Sequence, residues 1–320
     1  MALQFILGPS GAGKSEYIYE DIIRRTMQDE RENVIVLVPE QYSLEIQRKL
    51  VQKHPRGGSF QIDVIGFNRL AYRIFDELHI KPKKVLEDFG KSMLLRKAAQ
   101  EHKEELSLYA GSLDKAGFID EAKSLMSEIY QYDIPRERLR EALQKLDDSE
   151  EARVLARKLQ DMLVIFDAFE EKKGQSFIVA EQMLELLTAA AEQSELIAGS
   201  EIVLDGFTGF TPIQLNLISV LLRRAKKVTI VLTIDAATYE KKHVAEHELF
   251  ALTKQTIEHL LLTAEQAHVV VEPALFLGKD GCKRWSKGHP LAHLEQNLFR
   301  YPYRVGKDEE QAITITAHDT

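Results

Sequence analysis

Residues 3–15 read LQFILGPSGAGKS. A short, mostly apolar run at 3–7 breaks into Gly8, and the chain then passes through Pro9, Ser10, Gly11, Ala12 and Gly13 to Lys14 and Ser15. The spacing G-x-x-x-x-G-K-S is that of a phosphate-binding P-loop between a strand and a helix. The chemistry needs these residue types. Glycines admit φ > 0 and turn successive N–H groups towards phosphate oxygens. A helix that opens at the lysine offers its positive end to the same anion. In such a loop Lys14 reaches the β- and γ-phosphates and Ser15 offers a hydroxyl to Mg2+. The expected nucleotide-binding residues are Gly8, Ser10, Gly11, Ala12, Gly13, Lys14 and Ser15, with ATP and Mg2+ as ligands.

Outward from this loop, residues 14–29 predict a helix with Tyr17, Ile18, Ile22 and Ile23 on one stripe. Residues 33–38, NVIVLV, form a continuous β-branched run, which suits a strand buried on both faces of a parallel sheet. Pro39 ends it, and a helix over Ser43–Gln52, a strand at 60–65 and a helix over Asn68–Leu78 follow. This alternation predicts a doubly wound parallel sheet. Residues 86–195 show no strand pattern. They read as helices at 87–104, 117–132, 136–146, 149–173 and 180–194, with a break at Asp147, Asp148 and Ser149 and Ser149 as an N-cap. Strand patterns return at 201–205 (EIVLD) and 227–233 (KVTIVLT), around a helix at 212–223. The helical stretch is therefore an insertion in an α/β core. Residues 246–265 read as a helix, 268–272 as a strand and 273–310 as loop-rich. The chain stops on a strand pattern at 311–316, which suggests part of a longer protein.

Composition narrows the function classes. The 320 residues carry a formal net charge of −8, whereas a surface given over to DNA is more often basic. Bulk charge gives no support to DNA binding, although positive charge can be gathered in one channel. The single cysteine, Cys282, can form neither an internal disulfide nor a zinc site alone, which suits a reducing cytoplasm. No apolar run approaches the ~20 residues of a membrane span, and the N-terminus lacks the parts of a signal peptide. His243 and His247 are four apart but lack a metal motif. The helix at 149–173 interleaves Arg153, Arg157, Lys158, Lys172 and Lys173 with acids, as a solvated face does.

A hydrolysing site needs a carboxylate at a neighbouring strand end to hold Mg2+ through water. Asp205, closing the run 202–205, is the candidate, and a strand-end turn residue is its other reading. A following Glu often orients the attacking water, but the next residue is Gly206. No catalytic residue is therefore assigned beyond Asp205, and slow hydrolysis or none is expected. Asp235 reads as either a γ-phosphate neighbour or a turn residue, and Gln214 as a surface residue.

The order of P-loop, LVPEQ (37–41), DVIGFNRLAYRIF (63–75), helical insertion and IVLDGFTGFTPIQ (202–214) resembles the N-terminal helicase-like region of AddB (RexB). AddB is one of the two proteins of the bacterial AddAB/RexAB helicase–nuclease. LDKAGFIDEAKSLMSEIYQYDI (113–134) and HELFALT (247–253) fit the same family, so the resemblance spans essentially the whole chain. It implies a superfamily 1 helicase layout: a RecA-like P-loop domain at 1–84 and 196–272, an inserted all-helical domain at 85–195, and a segment at 273–320 leading to a further C-terminal region. Such helicases carry a segment like DEFQDTNPLQ where this chain has DGFTGFTPIQ (205–214). Asp205, Phe207, Pro212 and Gln214 match, while Gly206, Thr208 and Gly209 depart from it.

The resemblance implies an AddA (RexA) motor protein as heterodimer partner, and single-stranded DNA as ligand, where AddB is implicated in recognising Chi. The family's iron–sulfur cluster needs four cysteines and is expected only in the C-terminal nuclease domain. Helicase DNA contacts usually come from loops on the face opposite the nucleotide. Those candidates are Gln41 and Tyr42, after Pro39, and Phe67, Asn68 and Arg69, after Gly66. Tyr42 and Phe67 are placed to stack on bases and Asn68 and Arg69 to hold phosphates, against a core role for Phe67 and a solvated one for Arg69. Two other functions stay open: an active ATPase or translocase, against which Gly206 argues, and a small-molecule P-loop kinase, against which the long helical insertion argues.

Overall fold

The computed structural model describes all residues except Glu30, Asp148, Gln175, 279–282, Lys287, Tyr303, 307–312, Ile315 and 317–320, and the side chain of Ala116. Cys282 and half of the expected strand at 311–316 (Gln311, Ala312 and Ile315) lie outside the described residues. In chain order the elements are β1 (Ala2–Gly8), α1 (Lys14–Gln28), β2 (Asn33–Leu37), α2 (Ser43–Lys53), β3 (Ile62–Ile65) and α3 (Phe67–Glu77). There follow β4 (Lys84–Val85), α4 (Asp88–Glu101), α5 (Ala116–Gln131), α6 (Arg136–Gln144), α7 (Glu150–Lys173), β5 (Phe177–Ile178), α8 (Ala180–Ala191) and α9 (Glu195–Ala198). The chain closes with β6 (Ser200–Leu204), α10 (Pro212–Arg224), β7 (Lys227–Thr233), α11 (Ala236–Glu240), α12 (Ala251–Gln266), β8 (Val270–Val271), β9 (Leu275–Phe276) and α13 (Pro290–Asn297).

Contacts divide the chain into two compact units, residues 1–69, 194–210 and 218–320, and residues 70–193 and 211–217. The first is built on a sheet in the order β3-β2-β6-β7-β1-β8, with β9 also on β1. Every pairing in it is parallel. The apolar run at 34–38 is wholly buried because β2 lies between β3 and β6. Pro39, with no N–H to donate, ends the ladder. On one face of the sheet Ile18, Tyr19, Ile22 and Ile23 of α1 and Ile46 and Leu50 of α2 cover Ile6, Val34, Val36, Val64, Val203 and Val231. Each such side chain is worth about 1.5–3 kcal/mol when fully buried. The stripe of α1 differs from the expected one. Tyr19 is buried and Tyr17 is exposed, because the helix turns Tyr19 towards the sheet.

Two findings correct the reading of residues 246–310. The helix begins at Ala251 rather than 246. The stretch read as loop also contains β9 and α13. Strand β9 is two residues long and has no pattern of its own; it exists by pairing with Ile6 and Leu7 of β1. Helix α13 starts where Pro290 takes its first turn and the His289 side chain accepts from Leu291 N–H.

The second unit is mainly helical. Leu95, Ala98 and Ala99 of α4, Ile119, Ala122 and Met126 of α5, and Ile165, Phe166 and Phe169 of α7 make its core. Ser149 caps α7 through a 3.2 Å bond from Ala152 N–H, as the sequence suggests. The expected absence of strands fails at one point. Phe177–Ile178 pairs in parallel with Lys84–Val85, a two-residue ladder too short to leave a periodic pattern. Buried Asp161 accepts N–H groups from Ser107, Leu108 and Tyr109, each at 2.8 Å, and so fixes the turn after α4. Among the described residues, no helix is long and apolar enough to cross a membrane.

Candidate functional site

The parallel sheet brings the ends of β1, β2, β3, β6 and β7 to one carboxyl edge, where α/β proteins place their ligands. The turn from β1 into α1 is tight. Gly11 has φ 72° and Gly13 has φ 85°, a region that glycine enters without the penalty a side chain meets. Ala12 is fully buried, and its N–H donates to Pro9 O at 3.3 Å. No side chain caps α1, so its first N–H groups face the turn. Lys14 is only 9% exposed, and its ammonium donates to Gly8 O at 2.8 Å and Pro9 O at 2.9 Å. The lysine thus folds back over its own turn.

The turn opens into a cavity of about 570 Å³ lined by Ser10, Gly11, Gly13, Lys14 and Ser15 from the β1 end and by Asp205, Gly206, Phe207 and Thr208 from the β6 end. Strand β7 lies between β1 and β6, so Asp205 looks across one strand at the turn. Asp205 is 4% exposed, and its backbone N–H donates to Leu37 O at 3.0 Å. Its Oδ2 accepts the Tyr19 hydroxyl at 2.6 Å. Burial, reinforced by the adjacent Asp205 carboxylate, pushes the Tyr19 hydroxyl far above its ordinary value of 10, so it remains a neutral donor. Sequence reading missed Tyr19. Its one signal was position, one helical turn beyond Ser15 on the helix that leaves the loop.

Gly206 has φ 82°, and a Cβ built there would lie 3.4 Å from Pro39 Cδ and 3.9 Å from Tyr42 Cδ2. The position where a Glu was missed is therefore a left-handed turn. Asp235 is not among the residues that line the cavity. It caps α11, accepting from Thr238 N–H at 2.6 Å, and pairs with Arg300 at 2.7 Å. Burial alone would raise its pKa, but the Thr238 bonds and Arg300 outweigh that and hold it below its ordinary value. Gln214 Oε1 accepts from Thr211 N–H at 3.0 Å and so caps the start of α10.

The structure corrects the expected position of the DNA candidates. Gln41, Tyr42, Phe67, Asn68 and Arg69 follow β2 and β3, so they lie on the same carboxyl edge as the β1 turn, not on an opposite face. They are displaced along it. From β1 to β3 is four strand intervals, about 19 Å at ~4.8 Å each. Gln41, Asn68 and Arg69 are exposed and Tyr42 is 44% exposed. Phe67 is half-buried against Phe207 at 5.5 Å between ring centres, and Phe207 meets Phe210 at 5.2 Å. Gly66 leaves room for the Glu40 carboxylate, which accepts the Asn68 N–H at 3.1 Å. Among the described residues no cluster of three or more His, Cys, Asp or Glu could hold a metal.

A glycine–lysine turn at the edge of a parallel sheet, facing a buried carboxylate one strand away, defines the chain as an α/β protein consistent with a RecA-like fold. The family model described as "ADDB, N-terminal" matches residues 5–295, and the chain belongs to this family. Its relatives include the B subunits of ATP-dependent helicase/deoxyribonucleases from several bacteria. The chain is 38% identical over 321 residues to that of Lachnoclostridium phytofermentans, covering 99% of this chain and 28% of that protein. The protein of the same name from Clostridium kluyveri is 33% identical over 316 residues, covering 98% of this chain and 27% of its own. That from Caldanaerobacter subterraneus subsp. tengcongensis is 32% identical over 315 residues with the same coverage. The chain thus spans little more than a quarter of the length of these relatives.

Proposed function

We propose that this chain is the nucleotide- and DNA-binding N-terminal part of the AddB component of a bacterial helicase–nuclease, acting in the cytoplasm on double-strand breaks destined for recombinational repair. The relatives' names support the complex, and naming one component of it supports a second, AddA, as partner. The single observation that carries nucleotide binding is the buried Lys14 held over the glycine turn of a cavity whose charged lining is mostly cationic. In this reading the turn is a P-loop. Residues 1–84 and 196–272 form a RecA-like domain, 85–195 an inserted helical domain of superfamily 1 type, and 273–320 leads to the C-terminal region. An iron–sulfur cluster belongs to that region and not to this one.

The residues present fit Mg2+ with a triphosphate. Mg2+ keeps several waters and takes one or two protein oxygens beside phosphates, not a dedicated cage. The Ser15 hydroxyl and the Asp205 carboxylate, both lining the cavity, are that set. Bound there, the ion would neutralise phosphate charge. Lys14 would exchange its two carbonyl partners for phosphate oxygens, and the α1 N–H groups would meet the same anion. No carboxylate follows Asp205 to orient a water, so hydrolysis is weak or absent. Exposed Tyr42 and the edge of Phe67 offer stacking surfaces to single-stranded DNA, with Gln41, Asn68 and Arg69 as polar contacts. Titration of the chain with fluorescent ATP and Mg2+ tests the reading. Saturable binding that Lys14→Ala removes supports it, and wild-type protein that binds no nucleotide overturns it.

A further inference from the structure

Leu277 and Gly278, just after β9, and Lys283 and Arg284 lie against the glycine turn. A Cβ on Gly8 would lie 2.5 Å from Leu277 O, and one on Gly278 would lie 2.8 Å from the Ala12 Cβ. Further on, Lys283 N–H and Arg284 N–H both donate to Gly11 O, at 3.0 and 3.2 Å. The Lys283 stem lies over the last glycine before Lys14, with its Cδ 3.2 Å from where a Gly13 Cβ would stand. Both side chains line the cavity.

Charge makes this placement informative. Among the described residues the cavity is lined by five cationic side chains, Lys14, Lys49, Lys53, Lys283 and Arg284, and by two carboxylates, Glu16 and Asp205. Lys49 is paired with Glu45, and Lys53 with Glu16 and Glu20. Lys283 and Arg284 form no ion pair with another described residue; the Arg284 guanidinium lies 5.7 Å from the Trp285 ring centre. In a chain of net charge −8, two cations without a carboxylate partner among the described residues are fixed by their backbone at the glycine turn.

We propose that Lys283 and Arg284 are polyphosphate-binding residues, supplied in cis by the segment after β9. The inference rests on the nucleotide-binding reading above and adds two residues outside the glycine–lysine motif. The backbone bonds to Gly11 O hold Lys283 and Arg284 at the turn, and their two side chains then add charge-assisted bonds to phosphate oxygens beside those of Lys14. Because both side chains are exposed, an ion pair made there is screened by salt.

The test titrates the 320-residue chain with adenosine, ADP and ATP in the presence of Mg2+, at low and high salt. The proteins compared are wild type, Lys14→Ala, Lys283→Ala, Arg284→Ala and Lys283→Arg. Each of the two alanine variants at 283 and 284 should bind ADP and ATP about 10-fold more weakly and with a shallower salt dependence. Adenosine binding should not change, and Lys283→Arg should keep most of the ATP affinity. The proposal is overturned if wild type binds ATP, Lys14→Ala does not, and both alanine variants match wild type in affinity and salt slope. It is equally overturned if they lose adenosine and ATP alike with a lower unfolding midpoint, since the segment is then only structural. Wild-type protein that binds no nucleotide removes the underlying reading, and this inference with it.

Discussion

At the end of β1 two left-handed glycines, a buried lysine and an uncapped helix converge on one cavity. At the end of β6 a single buried carboxylate is followed by a glycine, and one of its oxygens is already taken by Tyr19. In the proposed reading the first end holds phosphate. The second helps hold a cation, and the residue after its carboxylate is Gly206 rather than an acid. On that reading binding and turnover depend on different strand ends and are separable on one sheet edge.

Changes at the β1 end should have the largest effects. Lys14→Ala removes the one buried cation of the turn and should weaken ATP binding about 100-fold, as judged from a charge-assisted contact of ~3 kcal/mol. Equilibrium titration checks this, and affinity within a few fold of wild type would break the comparison. At the β6 end, Tyr19→Phe deletes the donor to Asp205 Oδ2. Loss of such an outer partner should weaken Mg2+ in the nucleotide complex about 10-fold. Leaving a buried acceptor unmatched should also cost about 1–3 kcal/mol of stability. A Mg2+ titration at fixed nucleotide and a urea unfolding curve read the two effects separately.

Gly206→Glu is the substitution that would restore the missing carboxylate. It should not restore turnover, because φ is 82° and the new Cβ would point at Pro39 and Tyr42. A non-glycine residue in this region costs about 1–2 kcal/mol, which a urea midpoint detects. A variant with wild-type stability and rapid hydrolysis would contradict the account of this turn. The smallest effect concerns the helical unit. Burial alone would raise the Asp161 carboxyl, but the N–H groups of Ser107, Tyr109 and Leu108 and the Ser107 hydroxyl hold it below its ordinary value of 3.8. A depressed folded-state pKa gives stability that is present above the ordinary value and lost as pH falls through the folded one. Asp161→Asn should therefore flatten the loss of stability below about pH 4 while leaving ATP affinity unchanged.

Much of the sheet could be read directly. Residues 34–38 are a continuous apolar run and 228–232 one broken only by the buried Thr229, because β2 and β7 each have a strand on both sides and no solvent face interrupts the pattern. The loop at 8–15 was equally legible, since its glycines and lysine are adjacent in sequence. What escaped was short or distant. β4, β5, β8 and β9 have two residues each and exist through their partners. Tyr19 reads as one more apolar residue of α1 until the fold sets it beside Asp205, 186 positions away. Lys283 and Arg284 lie in a loop-like stretch, and their bonds to Gly11 O, which no sequence pattern announces, bring them to the turn. Gln41, Tyr42, Phe67, Asn68 and Arg69 were expected on the face opposite the nucleotide loop, but an all-parallel sheet puts every strand's exit on one edge.

The most direct test of the account is ATP turnover by the chain at saturating ATP and Mg2+, with affinity measured on the same sample. The account predicts saturable binding with hydrolysis at the level of the Lys14→Ala protein. Sustained turnover well above that level would contradict it, since some group other than a residue after Asp205 would then be activating water.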